Sequence, residues 1–256
     1  MTSLPWSIEV VVGSGMGFCS GLFGLGGSSI GTPILRLLGL PALIALASPL
    51  PLTLPSAIGG AIAYRNTHLI HWRIAVSTSL WGSPGVIAGS LLTKFLHGTV
   101  LMLFTALFIL GVGMYGLSGL RNRATPEPRA KLNERIVPYW SPLVGLINGL
   151  LANGGGLLLV PFYQLGIGLE LRAALATSLA TVALMALPST IVHTALGHID
   201  WVLTGWLAIG VFPFTYLGSQ LALHLPTPIL TRLYSLFLIA LALYFGYIEI
   251  TSLLPK

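Results

Sequence analysis

The chain has 256 residues, of which 55% are hydrophobic and only 7% are charged, and its mean hydropathy is +0.90. Because a soluble domain carries about 25% charged residues, this composition excludes a soluble globular fold. The formal net charge of +6 does not indicate nucleic-acid binding, since much of it lies in one short linker, at Arg121, Arg123, Arg129, Lys131 and Arg135.

Apolar runs separated by glycine, proline and charged residues predict a series of helical segments. There are about eight of them, at 7–35, 41–64, 74–96, 99–120, 139–165, 171–196, 201–224 and 228–250. Several exceed the ~20 residues that a helix needs to cross a bilayer. The sequence therefore predicts an all-α polytopic membrane protein that crosses the lipid bilayer several times.

A hydrophilic stretch at 121–138 separates two halves of near-equal length, which we interpret as a first transmembrane repeat at 1–120 and a second at 139–256. Cytoplasmic loops of membrane proteins carry an excess of Lys and Arg. The basic linker is therefore predicted to be cytoplasmic.

The two halves share glycine and proline residues at a constant spacing. Those that recur 128 positions later are Gly17, Gly21, Gly26, Gly27 and Pro33, matched by Gly145, Gly149, Gly154, Gly155 and Pro161. With one more residue of spacing, the matches are Trp72 with Trp201, Pro84 with Pro213, Gly89 with Gly218 and Ser90 with Ser219. This pattern predicts two homologous repeats. They are parallel if each half crosses the membrane an even number of times and inverted if its first segment dips in and returns, and the sequence leaves both orientations open.

Two glycine-rich stretches, at 23–33 and 152–161, interrupt the first helix of each half. Glycine costs about 1 kcal/mol in a helix interior and proline about 3 kcal/mol, so discontinuous helices are predicted at both places. Non-helical backbone at membrane depth is tolerated only where it is buried in protein or lines a water-filled cavity. Paired interruptions at corresponding positions of two halves are typical of a transporter's substrate site.

The start of a half-helix attracts anions through its free N–H groups and the positive end of its dipole. The residues predicted to bind a substrate at or near the two breaks are Gly24, Gly26, Gly27, Ser28, Ser29, Thr32, Ser48, Asn153, Gly154, Gly155, Gly156, Thr177 and Ser178. Prolines are expected to kink or break the second helix of each half; they are Pro49, Pro51, Pro55 and Pro188. The hydroxyls of Ser48, Thr177 and Ser178 therefore have an alternative role, in which they bond carbonyls that proline has freed.

Charged side chains suggest how the substrate is attracted and driven. Every carboxylate falls at a segment end or in a loop, which disfavours a cation carrier. Arg36, Arg65 and His193 are candidates for gating or for a vestibule, with interfacial anchoring and neutral packing as the alternatives. Histidine pairs occur without neighbouring Cys or carboxylate groups, so no metal site is predicted, and no residue pattern implies a cofactor.

The duplicated pattern G-x-x-x-G-x-x-x-x-G-G…P, at 17–33 and 145–161, resembles the TauE/SafE sulfite exporter family, as do Ala-Thr-Ser at 176–178 and the later Pro and Gly-Ser pairs. The resemblance covers essentially the whole chain. It implies export of sulfite, a sulfonate or a related sulfur-containing organic anion across the bacterial inner membrane. The two halves differ at Ser28, which corresponds to Gly156, so the site is not expected to be exactly symmetric.

The predicted function is a transporter that exports a small sulfur-containing anion by alternating access, and not an enzyme. An importer of a similar anion and a non-transporting membrane subunit are alternatives. The G-x-S-G pattern at 116–119 also occurs in intramembrane serine proteases, but Ser118 lies only three residues before Arg121, at the predicted membrane edge, which disfavours that function. A homodimer is one arrangement that the sequence leaves open.

Overall fold

The computed structural model describes residues 5–95, 103, 106–107, 110–117, 133–151 and 156–253. Within these ranges the chain is helical and has no β-strand. The helices are α1 (Trp6–Phe23), α2 (Ser28–Leu37), α3 (Ala42–Ala47), α4 (Thr53–Tyr64), α5 (Trp72–Leu92), α6 (Val137–Leu151), α7 (Gly156–Pro161), α8 (Leu171–Ala195), α9 (Trp201–His224) and α10 (Thr227–Leu253). Short 3-10 helices lie at Leu50–Leu52 and Glu134–Ile136, a π-helix lies at Phe162–Ile167, and residues 110–117 are also helical.

Five helical stretches in the described part of the chain are long and apolar enough to cross a membrane. They are Trp6–Phe23, Ala42–Tyr64, Leu171–Ala195, Trp201–His224 and Thr227–Tyr244. These stretches coincide with five of the predicted segments and confirm a polytopic helical membrane protein. Half of the predicted segment at 99–120, including Ser118, and most of the linker lie outside the described residues.

Prolines affect the second helix of each half differently. In the first half the chain leaves α3 after Ala47 and resumes as α4 at Thr53, with a 3-10 turn between them. In the second half α8 continues through Pro188 as a single helix, so of the expected kink or break there, the break does not occur. The physical reason is number and spacing: one proline removes a single backbone hydrogen bond, whereas three closely spaced prolines remove several in succession.

Glycines bring two pairs of helices into backbone contact. A Cβ on Gly17 would collide with the carbonyl oxygen of Val211, and one on Gly21 with that of Thr215, so α1 lies directly against α9. In the same way Gly149 of α6 lies against Val86 of α5. The residue numbers at successive contacts increase together along the two helices of each pair. Each pair is therefore parallel, and each joins a helix of one half to a helix of the other.

The helices run in two opposite directions. Gly60 of α4 packs against Leu179 of α8 and lies near the hydroxyl of Ser219 in α9. Leu179 and Ser219 are at similar distances before and after the α8–α9 loop, so these two helices form an antiparallel hairpin. Ser90 and Ser189 hydrogen-bond at 3.0 Å near the ends of α5 and α8. Hence α5, α6 and α8 run one way, and α1, α4 and α9 run the other.

The first segment of each half turns back on itself. Gly31 of α2 packs against the side chain of Met16 in α1, on the other side of the break. In the second half, the N–H of Asn133 donates to the carbonyl of Ile167 at 3.0 Å, which joins the start of the α6 segment to the end of the π-helix that follows α7. We call the side where α1 begins the α1 side, and the side where α6 begins the α6 side. Each interrupted segment returns to its own side.

Candidate functional site

The first break is a turn that requires glycine. Gly24, Gly26 and Gly27 have φ values of 66°, 70° and 59°, in the left-handed region that other residues adopt only at a cost. The N–H of Gly24 donates to the carbonyl of Ser20 and closes the end of α1. Gly27 directly precedes α2. The predicted interruption is therefore present, and α1 ends and α2 begins within a few residues.

Helix α8 holds one side of this break. The hydroxyl of Ser178 donates to the carbonyl of Gly24 at 3.0 Å, and Gly26 packs against the side chain of Val182. No described atom lies within 4 Å of the position that a Cβ would take on Gly27. Gly24 and Gly26 are thus packed against α8, whereas Gly27 is not packed by the described part of the chain.

The three hydroxyl residues of α2 are completely buried. Ser28 donates to the carbonyl of Gly26 at 3.2 Å, and Ser29 donates to that of Leu25 at 3.3 Å. Thr32 donates to the carbonyl of Ser28 at 3.1 Å. The hydroxyls of Ser28 and Ser29 thus bond carbonyls of the break, that of Thr32 bonds a carbonyl of its own helix, and all three lie in the first turns of α2.

The two breaks touch each other. Gly156 is the first residue of α7, and a Cβ on it would collide with Cα, C and O of Leu25 in the first break. The remaining residues predicted for the second break, Asn153, Gly154 and Gly155, lie outside the described residues. The contact between Gly156 and Leu25 brings the breaks of the two interrupted segments together inside the helix bundle.

Ser48 and Thr177 occupy matching places between helices. The hydroxyl of Ser48 accepts the N–H of Asp200, and that of Thr177 accepts the N–H of His71, both at 3.0 Å. Asp200 and His71 directly precede α9 and α5. Thr177 also donates to the carbonyl of Leu69 at 3.3 Å. Both hydroxyls therefore bond the backbone at the start of a neighbouring helix, a role that differs from the bonding of proline-freed carbonyls weighed for them from the sequence.

The candidate gating residues lie apart from one another. Arg65 is exposed after α4, on the α6 side. Arg36 is half-buried near the end of α2, where its Nη1 donates to the carbonyl of Leu40 at 3.3 Å. His193 is buried near the end of α8, and its Nδ1 lies 3.1 Å from Nδ1 of His198. Such a bond requires that one of the two ring nitrogens lacks a proton.

The stability of the protein is expected to fall in acid through His198. Burial, and then the positive charge of Lys94, lower the pKa of His198, so the folded state disfavours the protonated ring. As pH falls from about 7.5 to about 5.5, through the ordinary pKa of about 6.5, the unfolded chain takes up the proton more readily and stability is lost. Thermal unfolding of the parent should therefore shift to lower temperature over this range.

The same measurement on His198→Gln should show a smaller shift over this pH range. His224→Gln is the matched control, because His224 is exposed and bonds only the carbonyl of Gln220, in its own helix, at 2.7 Å. This control should show the same pH-dependent shift in unfolding temperature as the parent. An equal shift in His198→Gln and in the parent would contradict the assignment to His198.

Sequence reasoning missed a buried hydroxyl chain next to the second break. Tyr163, in the π-helix, hydrogen-bonds Thr181 of α8 at 2.7 Å, and Thr181 donates to the carbonyl of Thr177 at 2.8 Å. Because the proton of Thr181 is used in this way, Tyr163 is the donor of the first bond. Helical turns of the π type occur frequently at functional sites. The feature of the sequence that could have indicated this hydroxyl chain is the tyrosine in the apolar run after Pro161.

No group of three or more His, Cys, Asp or Glu side chains that could hold a metal ion occurs among the described residues. The polar groups available for binding at the breaks are instead backbone groups and side-chain hydroxyls. The sequence matches the family described as the sulfite exporter TauE/SafE over residues 10–245, which is most of its length. The chain belongs to the TauE/SafE family.

Relatives of this TauE/SafE protein carry the same general description. A probable membrane transporter protein of Xylella fastidiosa (strain Temecula1 / ATCC 700964) is 31% identical over 250 residues, covering 93% of this chain and 94% of the relative. The probable membrane transporter protein YunE of Bacillus subtilis (strain 168) is 22% identical over 246 residues, covering 85% and 87%. The resemblance noted in the glycine motif is confirmed. This TauE/SafE protein is a membrane transporter and not an enzyme.

The hydrogen bond from Ser178 to Gly24 gives a prediction for the break of this TauE/SafE protein. Ser178→Ala leaves a buried carbonyl without a donor, which costs about 1–3 kcal/mol of unfolding free energy. Ser83→Ala is the control, because that half-buried hydroxyl bonds the carbonyl of Ser79, in its own helix, at 2.7 Å. Denaturant unfolding in detergent should separate the two variants. Equal losses would contradict a special role for Ser178.

Proposed function

We propose that the chain exports a small sulfur-containing anion, such as sulfite or a sulfonate, across the bacterial inner membrane by alternating access. The observation that carries this proposal is the contact of Gly156 with Leu25, which joins the two helix breaks. Membership in a family described as a sulfite exporter supports the substrate class and the direction. The proposed binding groups are those of the break at Gly24–Thr32 and of the second break at Asn153–Gly156, together with Ser178.

The chemistry at the first break suits an anion. Helix α2 begins at Ser28, next to Gly27, and the start of a helix carries partial positive charge. The carboxylates of the side chains that the structure describes lie away from this point: Glu9 in the first turns of α1, Glu134 before α6, and Glu170 and Asp200 directly before α8 and α9. Negative charge that would repel an anion is therefore not found at the described part of the break.

We further propose that the halves are inverted repeats that exchange helices. Ser219 donates to the carbonyl of Gly21 at 3.3 Å, and its counterpart Ser90 donates to that of Gly149 at 3.4 Å. The bonds made by Ser48 and Thr177 match in the same way. In each pair of matching bonds, the residue from the first half in one bond corresponds to the residue from the second half in the other. Helices α1 and α6 also begin on opposite sides. Relative motion of two such units about a fixed central site is a known basis of alternating access.

The α6 side is the proposed cytoplasmic side. Arg65, Arg73, Arg135 and Arg172 lie at helix ends on this side, whereas Arg36 and Lys94 lie on the α1 side. The positive-inside rule favours this orientation, which also places the basic linker in the cytoplasm. An inside-negative potential would then drive an anion outward with about 2.3 kcal/mol per charge for each 100 mV.

Efflux from proteoliposomes under a clamped potential tests this function. Liposomes loaded with sulfite or methanesulfonate should release it faster with the purified chain than without it, and the rate should rise as the interior is made more negative. Efflux that ignores the potential but requires a proton gradient would contradict potential-driven export. Absence of flux for every sulfur-containing anion, with folded protein in the membrane, would overturn the substrate class.

A further inference from the structure

A cavity of about 260 Å³ opens on the α6 side, between the start of α5 and the segment that leads into α6. Its lining includes Arg73 and Ser77 of α5, and Glu134, Arg135 and Pro138 from the segment around the start of α6. Because α5 belongs to one half and α6 to the other, this pocket lies at a junction between the halves. Its size is sufficient for an oxyanion of a few heavy atoms.

The pocket has an excess of positive charge. Two guanidinium groups, Arg73 and Arg135, and a single carboxylate, Glu134, line it. The Nε of Arg73 lies 3.6 Å from Oε2 of Glu134, but the two side chains are 89% and 41% exposed. An exposed pair of this kind contributes little to stability. Glu134 therefore does not hold Arg73 firmly, and the planar N–H groups of arginine match the geometry of oxyanions.

Buried hydroxyls lie one helical turn inward from the pocket. Thr78 follows Ile74 by four residues on α5, and Ser141 follows Val137 by four residues on α6, so each lies on the same face as a lining residue. Both are fully buried. Thr78 lies near the hydroxyl of Tyr163, but neither Thr78 nor Ser141 makes a hydrogen bond of good geometry within the described part of the chain. An unpaired buried hydroxyl is destabilising and calls for an explanation.

We propose that this pocket is a capture site for small oxyanions, in which Arg73 and Arg135 bind the anion and Glu134 is a resident competitor that releases Arg73 when the anion arrives. The hydroxyls of Thr78 and Ser141 lie on the inward side of the capture site. The assignment of the capture site to the cytoplasmic end of an export path rests on the proposed function. Oxyanion binding by the two arginines does not.

Protection from arginine modification tests the capture site directly. The purified full-length chain is treated with phenylglyoxal, and the labelling rate of each arginine is read by peptide mass spectrometry, with and without methanesulfonate. The anion should slow labelling of Arg73 and Arg135 several-fold. Arg232, which is exposed on α10 outside the pocket, should keep its rate. If methanesulfonate leaves the labelling rates of Arg73 and Arg135 unchanged, or slows all three arginines equally, the proposal is overturned.

A pair of carboxylate variants tests the competitor. Glu134→Gln should lower the methanesulfonate concentration that gives half-protection of Arg73 several-fold and should raise the labelling rate without anion. Glu170→Gln removes an exposed carboxylate on the same side but outside the pocket and should leave both quantities unchanged. The same response in both variants would show a general surface effect and would overturn the role of Glu134.

Two measurements in lipid distinguish a free anion from a lipid headgroup, and capture from transport. In nanodiscs of neutral phosphatidylcholine, methanesulfonate should still protect the arginines; protection by added phosphatidylglycerol alone would overturn the free-anion site in favour of a lipid headgroup.

In proteoliposomes, Arg73→Gln and Arg135→Gln should raise the KM for efflux several-fold with little change in kcat. Protected arginines without efflux would overturn the proposed function and leave the capture site standing. Efflux without protection of the arginines would overturn the capture site and leave the proposed function standing.

Discussion

Gly156→Ala is expected to slow anion transport by about 100-fold. The added Cβ would collide with backbone atoms of Leu25, and backbone held in a break between two helices cannot move aside as a flexible side chain can. The two interrupted segments would separate at the point where the substrate is proposed to bind. Misplacement of binding groups by about 1 Å can cost 100-fold in rate in enzymes, and we expect a comparable loss in a site built from fixed backbone.

Gly15→Ala is the matched control for Gly156→Ala. Gly15 lies in the interior of α1, no described atom lies within 4 Å of its Cβ position, and alanine favours a helix over glycine by about 1 kcal/mol. This variant should transport at the parental rate. Both rates are expressed per folded protein, measured by size-exclusion chromatography. Parental transport by Gly156→Ala would show that contact between the breaks is dispensable.

Gly21→Ala and Gly149→Ala are each expected to destabilise the protein by about 3 kcal/mol, the upper end of the usual cost of overpacking. The Cβ on Gly21 would lie 2.7 Å from the N atom of Ser219, and the one on Gly149 would lie 2.8 Å from that of Ser90. Each variant would also push away the serine that bonds the glycine carbonyl. Denaturant unfolding in detergent measures both losses.

The similarity of these two losses is itself informative. Gly21 and Gly149 occupy matching positions in the two halves, so inverted repeats with exchanged helices predict losses of similar size. Gly205→Ala is the control, since no described atom lies within 4 Å of that Cβ position on α9. A large loss at Gly21 with none at Gly149 would contradict equivalent roles for the two contacts.

Local backbone chemistry explains what the sequence predicted well. The break at Gly24–Gly27 was visible because adjacent glycines are costly in a helix, and the positive φ angles there explain why they are needed. The long apolar helices followed from composition. Both properties depend on a few neighbouring residues, and such properties can be read from a sequence.

Tertiary contacts explain what the sequence left open. The return of each interrupted segment to its own side depends on the packing of Gly31 against Met16 and on the bond between Asn133 and Ile167. The roles of Ser48 and Thr177 depend on helices that begin elsewhere in the chain. The pocket at Arg73 and Arg135 requires two halves to meet. Sequence spacing cannot specify any of these distances.

The packing of α1 against α9 also sets a condition on biosynthesis. The glycine face of α1 packs against α9, which is translated about 190 residues later. At a synthesis rate of about 5–20 residues per second, that interval is roughly 10–40 s. During this time α1 has been made but its partner has not. A translation pause before Trp201 would prolong the exposure of that face, so ribosome speed between α1 and α9 controls how long the nascent chain is open to wrong helix pairing.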